Sequence, residues 1–478
     1  MTDRRQQRAS EGWQAIGTRF LPFADAASDG LPLSRLLRLS LFQVSVGMAL
    51  TLLTGTLNRV MIVELAVPTW LVALMISLPL VFAPFRALIG HRSDTHRSVL
   101  GWRRGPYIWF GSLLMFGGLA IMPFALLVLS GDTTGPVWVG HAGAAAAFLA
   151  LGAGLHTVQT AGLALATDLA PQATRHRVVA LLYVMLLVGL GVSALVFSAL
   201  LQPFSEVRLI QVIQGAAVVA MALNLVALWK QEARKKKRPD TPREPTFAEA
   251  WAGLMATRDT RRLMWGVALG AGGFAMQDVL LEPYGAEVLH QSVSQTTQLT
   301  ALFAGGTLIG FALAARWLGQ DRNAERLAAH GVLIGIIALS MVVFAGPLGS
   351  SALFYAGTAL IGVGGGLFSV CTLTAAMALS DASDSGLALG AWGAVQATSM
   401  GTAMFAGAAL RDGVEALARQ GLLGQAFDQD AIGYVVVYHV EIFLLFMTLI
   451  VIGPLARHIG APETRNGSKA FGLASFPG

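Results

Sequence analysis

The chain has 478 residues, of which 55% are hydrophobic and 13% charged, and its mean hydropathy is +0.63. A water-soluble domain cannot bury so much apolar side chain in one core, so the composition indicates a protein surrounded mostly by lipid. The apolar runs are continuous rather than alternating, which favours membrane helices over a β-barrel. The single cysteine, Cys371, has no partner for a disulfide bond.

Twelve apolar runs follow one another along the chain, each close to the roughly 20 residues that a helix needs to cross ~30 Å of hydrocarbon. The sequence therefore predicts an all-α membrane protein of twelve transmembrane helices in two six-helix halves, 39–229 and 263–454. We expect a segment on the cytoplasmic side before the first half (1–38), between the halves (230–262) and after the second (455–478). The predicted spans are 39–57, 70–88, 107–129, 142–165, 178–201, 209–229, 263–281, 299–315, 332–348, 353–377, 387–409 and 435–454.

The basic residues decide the predicted orientation. If the amino terminus is cytoplasmic, 29 of the 33 Lys and Arg residues fall on the cytoplasmic side of the predicted spans and 4 on the other. Basic residues near span ends favour the cytoplasm, so both termini are predicted to be cytoplasmic and the span count even. The orientation then explains the sequence pI of about 9.8, so no nucleic-acid partner is predicted. Membrane lipid is the predicted partner at this stage.

An internal repeat relates the two halves. The segment GAGLHTVQT at 152–160 aligns with GGGLFSVCT at 364–372, and 58–60 in the first span aligns with 277–279 in the seventh. Two halves with an even number of spans each have the same topology, which is the arrangement of major facilitator superfamily transporters. The loop between spans two and three, with Gly90, Asp94, Arg103 and Arg104, resembles that superfamily's inner-loop motif. It departs from the motif by extra residues between the acid and the arginine pair, and we expect it to hold the halves together.

Ionisable residues inside predicted spans are the strongest candidates for function, because a charge in hydrocarbon costs several kcal/mol unless it is paired or hydrated. Arg59 and Asp278 lie at repeat-equivalent positions with opposite charge, so we predict that they pair between the halves. The alternative is that each side chain merely reaches the outer interface. The other predicted intramembrane acids are Glu64, Glu282 and Glu441.

His156 in the fourth span is the predicted ligand-binding residue, together with Gln159 and Thr160 one turn on. Its imidazole either binds a polar ligand group or a chlorin magnesium, or it is a hydrogen-bonded packing residue. His439 and Glu441, two residues apart in the twelfth span, are predicted to face different sides of the helix.

The sequence contains no phosphate loop, CxxC or HExxH, so no metal site is predicted. GLGVSA at 189–194 lies in mid-span and is read as a packing segment rather than a dinucleotide site.

Several strings spread over the spans resemble the PucC/LhaA proteins, the bacteriochlorophyll delivery family within the major facilitator superfamily. They are LLRLSLFQVSVG at 36–47, GTLNRVMIVE at 55–64, FRALIGHRSD at 85–94, GWRRGPY at 101–107, MQDVLLEPY at 276–284 and GAWGAVQ at 390–396.

The resemblance implies a non-enzymatic assembly factor for light-harvesting antenna complexes, LH1 or LH2, in the inner (intracytoplasmic) membrane of a purple photosynthetic bacterium. It implies bacteriochlorophyll a as a bound pigment that is delivered to the antenna α and β polypeptides. The reaction centre–LH1 complex and pigment-synthesis enzymes are further implied partners. The alternative function is a proton-coupled secondary transporter of a small or amphiphilic solute, in which Asp278, Glu282 or Glu441 takes up the proton.

Overall fold

The computed structural model describes residues 31–81, 102, 104–129, 136–171, 175–232, 257–318, 320, 322–378, 385–422 and 431–457. Within these ranges the chain forms twelve helical segments, one at each place where the sequence predicts a span. The N-terminal half contains α1 (Leu33–Glu64), α2 (Thr69–Val81), α3 (Gly105–Leu129), α4 (Val137–Leu169), α5 (Arg175–Leu200) and α6 (Glu206–Leu228). The C-terminal half contains α7 (Arg258–Glu287), α8 (Val293–Leu318), α9 (Ala324–Ala345), α10 (Ser351–Ala378), α11 (Ser385–Arg419) and α12 (Ile432–Arg457).

Ten of the described helices are long and apolar enough to cross a membrane, and α2 and α11 are outside that set. Only 13 residues of α2 are described. Large apolar side chains are widely exposed on these helices, such as Phe110 and Phe124, each 65% exposed, and Phe443, 57% exposed. Such side chains are in their preferred solvent when lipid surrounds the protein. The chain is therefore a multi-pass membrane protein, as the composition predicts.

Glycines bring the third and fourth helices of each half together. A Cβ atom added to Gly111 of α3 would lie 2.9 Å from the carbonyl oxygen of Gly154 in α4, and one added to Gly364 of α10 would lie 2.7 Å from that of Gly331 in α9. Small residues allow this backbone approach, which strengthens helix packing in lipid. Gly154 and Gly364 belong to the two repeat segments, so each segment carries glycines that pack closely on a neighbouring helix of its own half. Gly189 of α5 lies equally close to α1, which confirms its interpretation as a packing residue.

Two helices at the meeting of the halves are irregular. α1 contains π-helical stretches at Thr51–Thr56 and Val60–Glu64. α7 is interrupted between Arg258–Gly273 and Gln277–Glu287. A π-helical turn or a break leaves backbone groups out of the regular ladder, and such irregularities are frequent at functional sites.

Among the described residues, the halves contact each other through α2–α11 and α5–α8, and α1 of the first half contacts both α7 and α8 of the second. Since each helix of the first half corresponds to the helix six places on, α2–α11 and α5–α8 are equivalent contacts. We call the end where α1 begins and α12 ends the terminal end, and the opposite end, with the connections α1–α2, α7–α8 and α11–α12, the far end. α7 begins at Arg258, within the segment predicted as linker.

Candidate functional site

The irregular parts of α1 and α7 lie against each other between the halves. The side-chain amide of Asn58 donates to the carbonyl oxygen of Val279 at 2.6 Å. A Cβ atom added to Gly55 would lie 2.7 Å from a carboxylate oxygen of Glu282. The repeat-equivalent segments 58–60 and 277–279 thus meet, and this contact is the centre of the candidate site.

Arg59 is buried in this contact, but its ion pair differs from the predicted one. Its guanidinium lies 2.7 Å from Glu64 and also donates to the carbonyl oxygen of Gln291 at 3.2 Å. The prediction that Arg59 pairs with Asp278 is therefore wrong. The π-helical stretch Val60–Glu64 explains the difference, because i→i+5 hydrogen bonding brings residues five apart onto one face of the helix.

Asp278 lies in the first turn of the second segment of α7, where the helix dipole favours a negative charge. Its carboxylate accepts a hydrogen bond from the side-chain amide of the neighbouring Gln277. The side chain is half-buried. Among the described residues, the hydrogen-bond partner of the Asp278 carboxylate therefore lies on the same helix.

Glu441 on α12 is fully buried and is held at the break in α7. One carboxylate oxygen accepts from the backbone N–H of Gln277 at 2.7 Å. That N–H belongs to the start of a helix segment, where the backbone donors have no partner within the helix. The acid from α12 therefore caps the second segment of α7. His439, two residues away, is exposed, which confirms the prediction that His439 and Glu441 face different sides of the helix.

Glu282 is the third acid of the site. It is 4% exposed, and one carboxylate oxygen accepts from the hydroxyl of Thr300 on α8 at 2.9 Å. Its other carboxylate oxygen, like the second oxygen of Glu441, has no hydrogen-bond partner among the described residues. Each acid therefore has one oxygen available for a proton or a polar ligand.

His156, Gln159 and Thr160 lie on α4, which contacts α1, α2, α3 and α5. His156 and Thr160 are half-buried, and Gln159 is buried. The three side chains belong to the N-terminal half alone. The contact between α1 and α7 is therefore not built from the residues of the predicted ligand site.

The inner-loop motif is described only at Arg104, since Gly90, Asp94 and Arg103 lie outside the described residues. The guanidinium of Arg104 lies 3.2 Å from Asp168 at the end of α4. The carboxylate of Glu232, which follows α6, accepts from the backbone N–H groups of Arg104 and Gly105 at 3.1 and 2.8 Å. These contacts of Arg104 join α3, α4 and Glu232 after α6 within one half, and the expectation that the motif holds the two halves together stays a prediction.

A charged cluster at the far end was missed by the sequence reasoning. Arg411 on α11 contacts Glu287 at the end of α7, at 2.7 Å, and Glu415 one turn further on, also at 2.7 Å. It also donates to the hydroxyl of Thr69 at 3.1 Å, and its guanidinium lies over the ring of Tyr434, 4.7 Å from the centroid. We call these residues, with Asp412, the Arg411 cluster. It connects α2 of one half with three helices of the other.

The Arg411 cluster also binds the start of α2 directly. The carboxylate of Asp412 accepts from the backbone N–H of Trp70 at 2.8 Å. The predicted span ends at residue 409, whereas α11 continues to Arg419. The signal that could have revealed this is the i,i+4 spacing of Arg411, Glu415 and Arg419, which is typical of a charged helix face.

The fold and the site define a class: a twelve-helix membrane protein of major facilitator architecture, with buried acids where the halves meet. The structure of a bacterial homologue of the human lysosomal transporter Spinster is similar over 89% of this chain and 96% of its own, with a TM-score of 0.64 and 16% identity. That likeness confirms the predicted fold.

The chain belongs to the PucC protein family, because the sequence model of that family, described as PUCC protein, matches residues 56–459. It is 57% identical over 406 residues to Protein PucC of Rhodovulum sulfidophilum, covering 84% of this chain and 89% of that protein. It is 54% identical over 469 residues to an uncharacterized protein in the puhA-bchM intergenic region of Rhodobacter capsulatus, covering 97% of this chain and 98% of that one. The family predicted from the sequence strings is thus confirmed.

Proposed function

We propose that the chain is an assembly factor for bacterial light-harvesting antenna complexes, LH1 or LH2. The observation that carries the proposal is membership of the PucC family, with 57% identity to Protein PucC over most of both chains. In this role the protein is not an enzyme. It binds components of the antenna in the membrane and hands them on.

The proposed location is the inner (intracytoplasmic) membrane of a purple photosynthetic bacterium, with both termini in the cytoplasm. The distribution of the basic residues supports this orientation, since 29 of the 33 fall in segments predicted to lie on the side of the termini. The far end of the bundle, with the Arg411 cluster, then faces the periplasm.

The proposed cargo is bacteriochlorophyll a. An imidazole nitrogen could hold its magnesium, because neutral imidazole is the commonest metal-binding side chain in proteins. His156, half-buried in a membrane helix with the buried Gln159 one turn on, fits such a ligand. The pigment, when bound, supplies the near-infrared absorption that the antenna requires, and the protein supplies the ligand and an apolar surface.

The proposed recipients are the antenna α and β polypeptides, which meet the chain laterally within the bilayer. The exposed apolar faces of the helices support this, because they offer contact to lipid and to other membrane helices alike. The reaction centre–LH1 complex and pigment-synthesis enzymes are the further proposed partners.

A proton-coupled transporter of a small or amphiphilic solute is the second candidate. The buried Glu282 and Glu441, each with one oxygen lacking a hydrogen-bond partner among the described residues, favour it. Intramembrane acids of this kind mark proton pathways in transporters.

The two functions are separated by purifying the tagged full-length chain in mild detergent from a purple bacterium that is synthesising antenna complexes. The proposal expects antenna polypeptides in the purified sample and a bacteriochlorophyll absorption spectrum. A tagged membrane protein of another family, purified in parallel, is the control. A sample without pigment and without antenna polypeptides, which drives proton-coupled solute uptake in liposomes, would contradict the proposal and support the transporter.

A further inference from the structure

His439 occupies an unusual place in α12, on the face turned away from the protein. Tyr438, Glu441 and Leu445 are fully buried against the neighbouring helices, whereas His439 is exposed. The next residues on the same face are also exposed: Phe443 at 57%, Phe446 at 49% and Ile450 at 62%. Spacings of four, three and four residues place these side chains in one stripe along the helix, the α12 stripe.

The α12 stripe faces hydrocarbon at the depth of His439. α12 has 26 residues and is therefore about 39 Å long, longer than the ~30 Å hydrocarbon layer. If the helix is centred in the layer, His439 lies roughly 6 Å inside its edge, because it is seven residues from the start of the helix. A polar imidazole at this depth costs free energy unless its nitrogens find partners.

One nitrogen of His439 has a partner and the other does not. Nδ1 lies 2.7 Å from the carbonyl oxygen of Val435, one turn earlier. A carbonyl oxygen only accepts, so Nδ1 carries the hydrogen and donates it, and the neutral ring then has its lone pair on Nε2. Nε2 has no hydrogen-bond partner among the residues that the structure describes. A metal-binding histidine has this arrangement, with the second ring nitrogen donating to a backbone carbonyl.

We propose that His439 is the axial ligand, through Nε2, of the magnesium of a bacteriochlorophyll bound on the lipid-facing side of α12. Phe443, Phe446 and Ile450 supply the apolar and aromatic contact surface for the pigment. This inference rests on the proposed function and adds to it a second position, apart from His156. A pigment on the lipid face is directly accessible to an antenna polypeptide in the bilayer, whereas His156 lies half-buried in the other half of the protein.

The test uses purified full-length protein in lipid nanodiscs, titrated with bacteriochlorophyll a, in a His156→Ala background that leaves His439 as the proposed ligand. Binding is followed by pigment absorption, and coordination of the magnesium by resonance Raman spectra. We expect His156→Ala to bind pigment and the additional His439→Gly to weaken binding at least about tenfold, or ~1.4 kcal/mol. Added imidazole should restore binding to the glycine variant, because it can occupy the vacated space and supply the missing nitrogen.

Three results would overturn the inference: no pigment bound by the wild-type chain, no pigment bound by His156→Ala, or unchanged binding after His439→Gly. A loss that imidazole does not restore would equally exclude a ligand role. Folding of each variant is checked by the protection of the buried Cys371 from a thiol-reactive dye. The proposed function is tested separately, by the antenna absorption of membranes. Failure of the inference about His439 therefore does not exclude the proposed function.

Discussion

The contacts α5–α8 and α2–α11 occupy equivalent positions between the halves, but different chemistry holds them together. In α5–α8 the partners are neutral: the hydroxyl groups of Ser198 and Ser294 are 2.8 Å apart, and the side-chain amide of Gln298 donates to Ser198 at 3.1 Å. In α2–α11 the groups on α11 are charged: Arg411, whose side chain is 10% exposed, donates to the hydroxyl of Thr69, and Asp412 accepts from the backbone N–H of Trp70. The repeat therefore determines where the halves meet and not how they are held.

The difference matters for stability because a buried charge and a neutral hydrogen bond respond differently to the loss of a partner. Removing one partner of a buried ion pair leaves the others uncompensated and typically costs about 3–5 kcal/mol. Removing a neutral hydrogen bond typically costs about 0.5–1.5 kcal/mol. Substitutions in the Arg411 cluster should therefore destabilise the protein more than substitutions in α5–α8.

The largest effect is expected for Arg411→Met. The change leaves the carboxylates of Glu287, Asp412 and Glu415 close together without their cation, and we expect a loss of about 3–5 kcal/mol in the free energy of unfolding. The measurement is a denaturant titration in detergent, with dye labelling of the single, buried Cys371 reporting unfolding.

The matched control is Arg419→Met, which removes a cation that also pairs with Glu415 but is 76% exposed. Exposed ion pairs contribute roughly 0–1 kcal/mol, so this variant should unfold close to the wild type. Equal losses in the free energy of unfolding from both substitutions would show that the burial of Arg411 does not determine the cost of replacing it.

An intermediate effect is expected for Glu441→Ala, which removes the acceptor for the backbone N–H of Gln277 at the break in α7. A buried donor left without a partner costs about 1–3 kcal/mol. Glu441→Gln keeps a carbonyl oxygen at the same place and should lose less, as measured by the same titration. If the glutamine and alanine variants are destabilised equally, the hydrogen bond from the Gln277 N–H does not stabilise the interrupted part of α7.

The smallest effect is expected for the double change Ser198→Ala and Ser294→Ala in α5–α8. Both partners of the hydroxyl pair disappear together. The amides of Gln202 and Gln298 lose these acceptors, but Gln202 is exposed and Gln298 half-buried, so water can replace the acceptors and we expect a loss below about 1.5 kcal/mol. A loss as large as that of Arg411→Met would remove the contrast between the two contacts.

The sequence predicted the positions of the helices and the approach of the two repeat segments, which the hydrogen bond from Asn58 to Val279 confirms. Hydrophobic runs and repeats determine these features directly. The partner of Arg59 could not be predicted, because the π-helical turns of α1 change which residues share a face, and regular helix geometry is all that the pattern provides. Arg411 was missed because the apolar run ends before it, although the helix continues.

The central claim, that the chain assembles antenna complexes, is tested most directly by near-infrared absorption of membranes from a purple bacterium lacking this gene and its other PucC-family genes. The antenna absorption is divided by the amount of antenna mRNA, so that loss of expression is not mistaken for loss of assembly. The account predicts that this ratio falls strongly in the deletion strain and returns when the chain is expressed from a plasmid. An unchanged ratio in the strain without the chain would contradict the account.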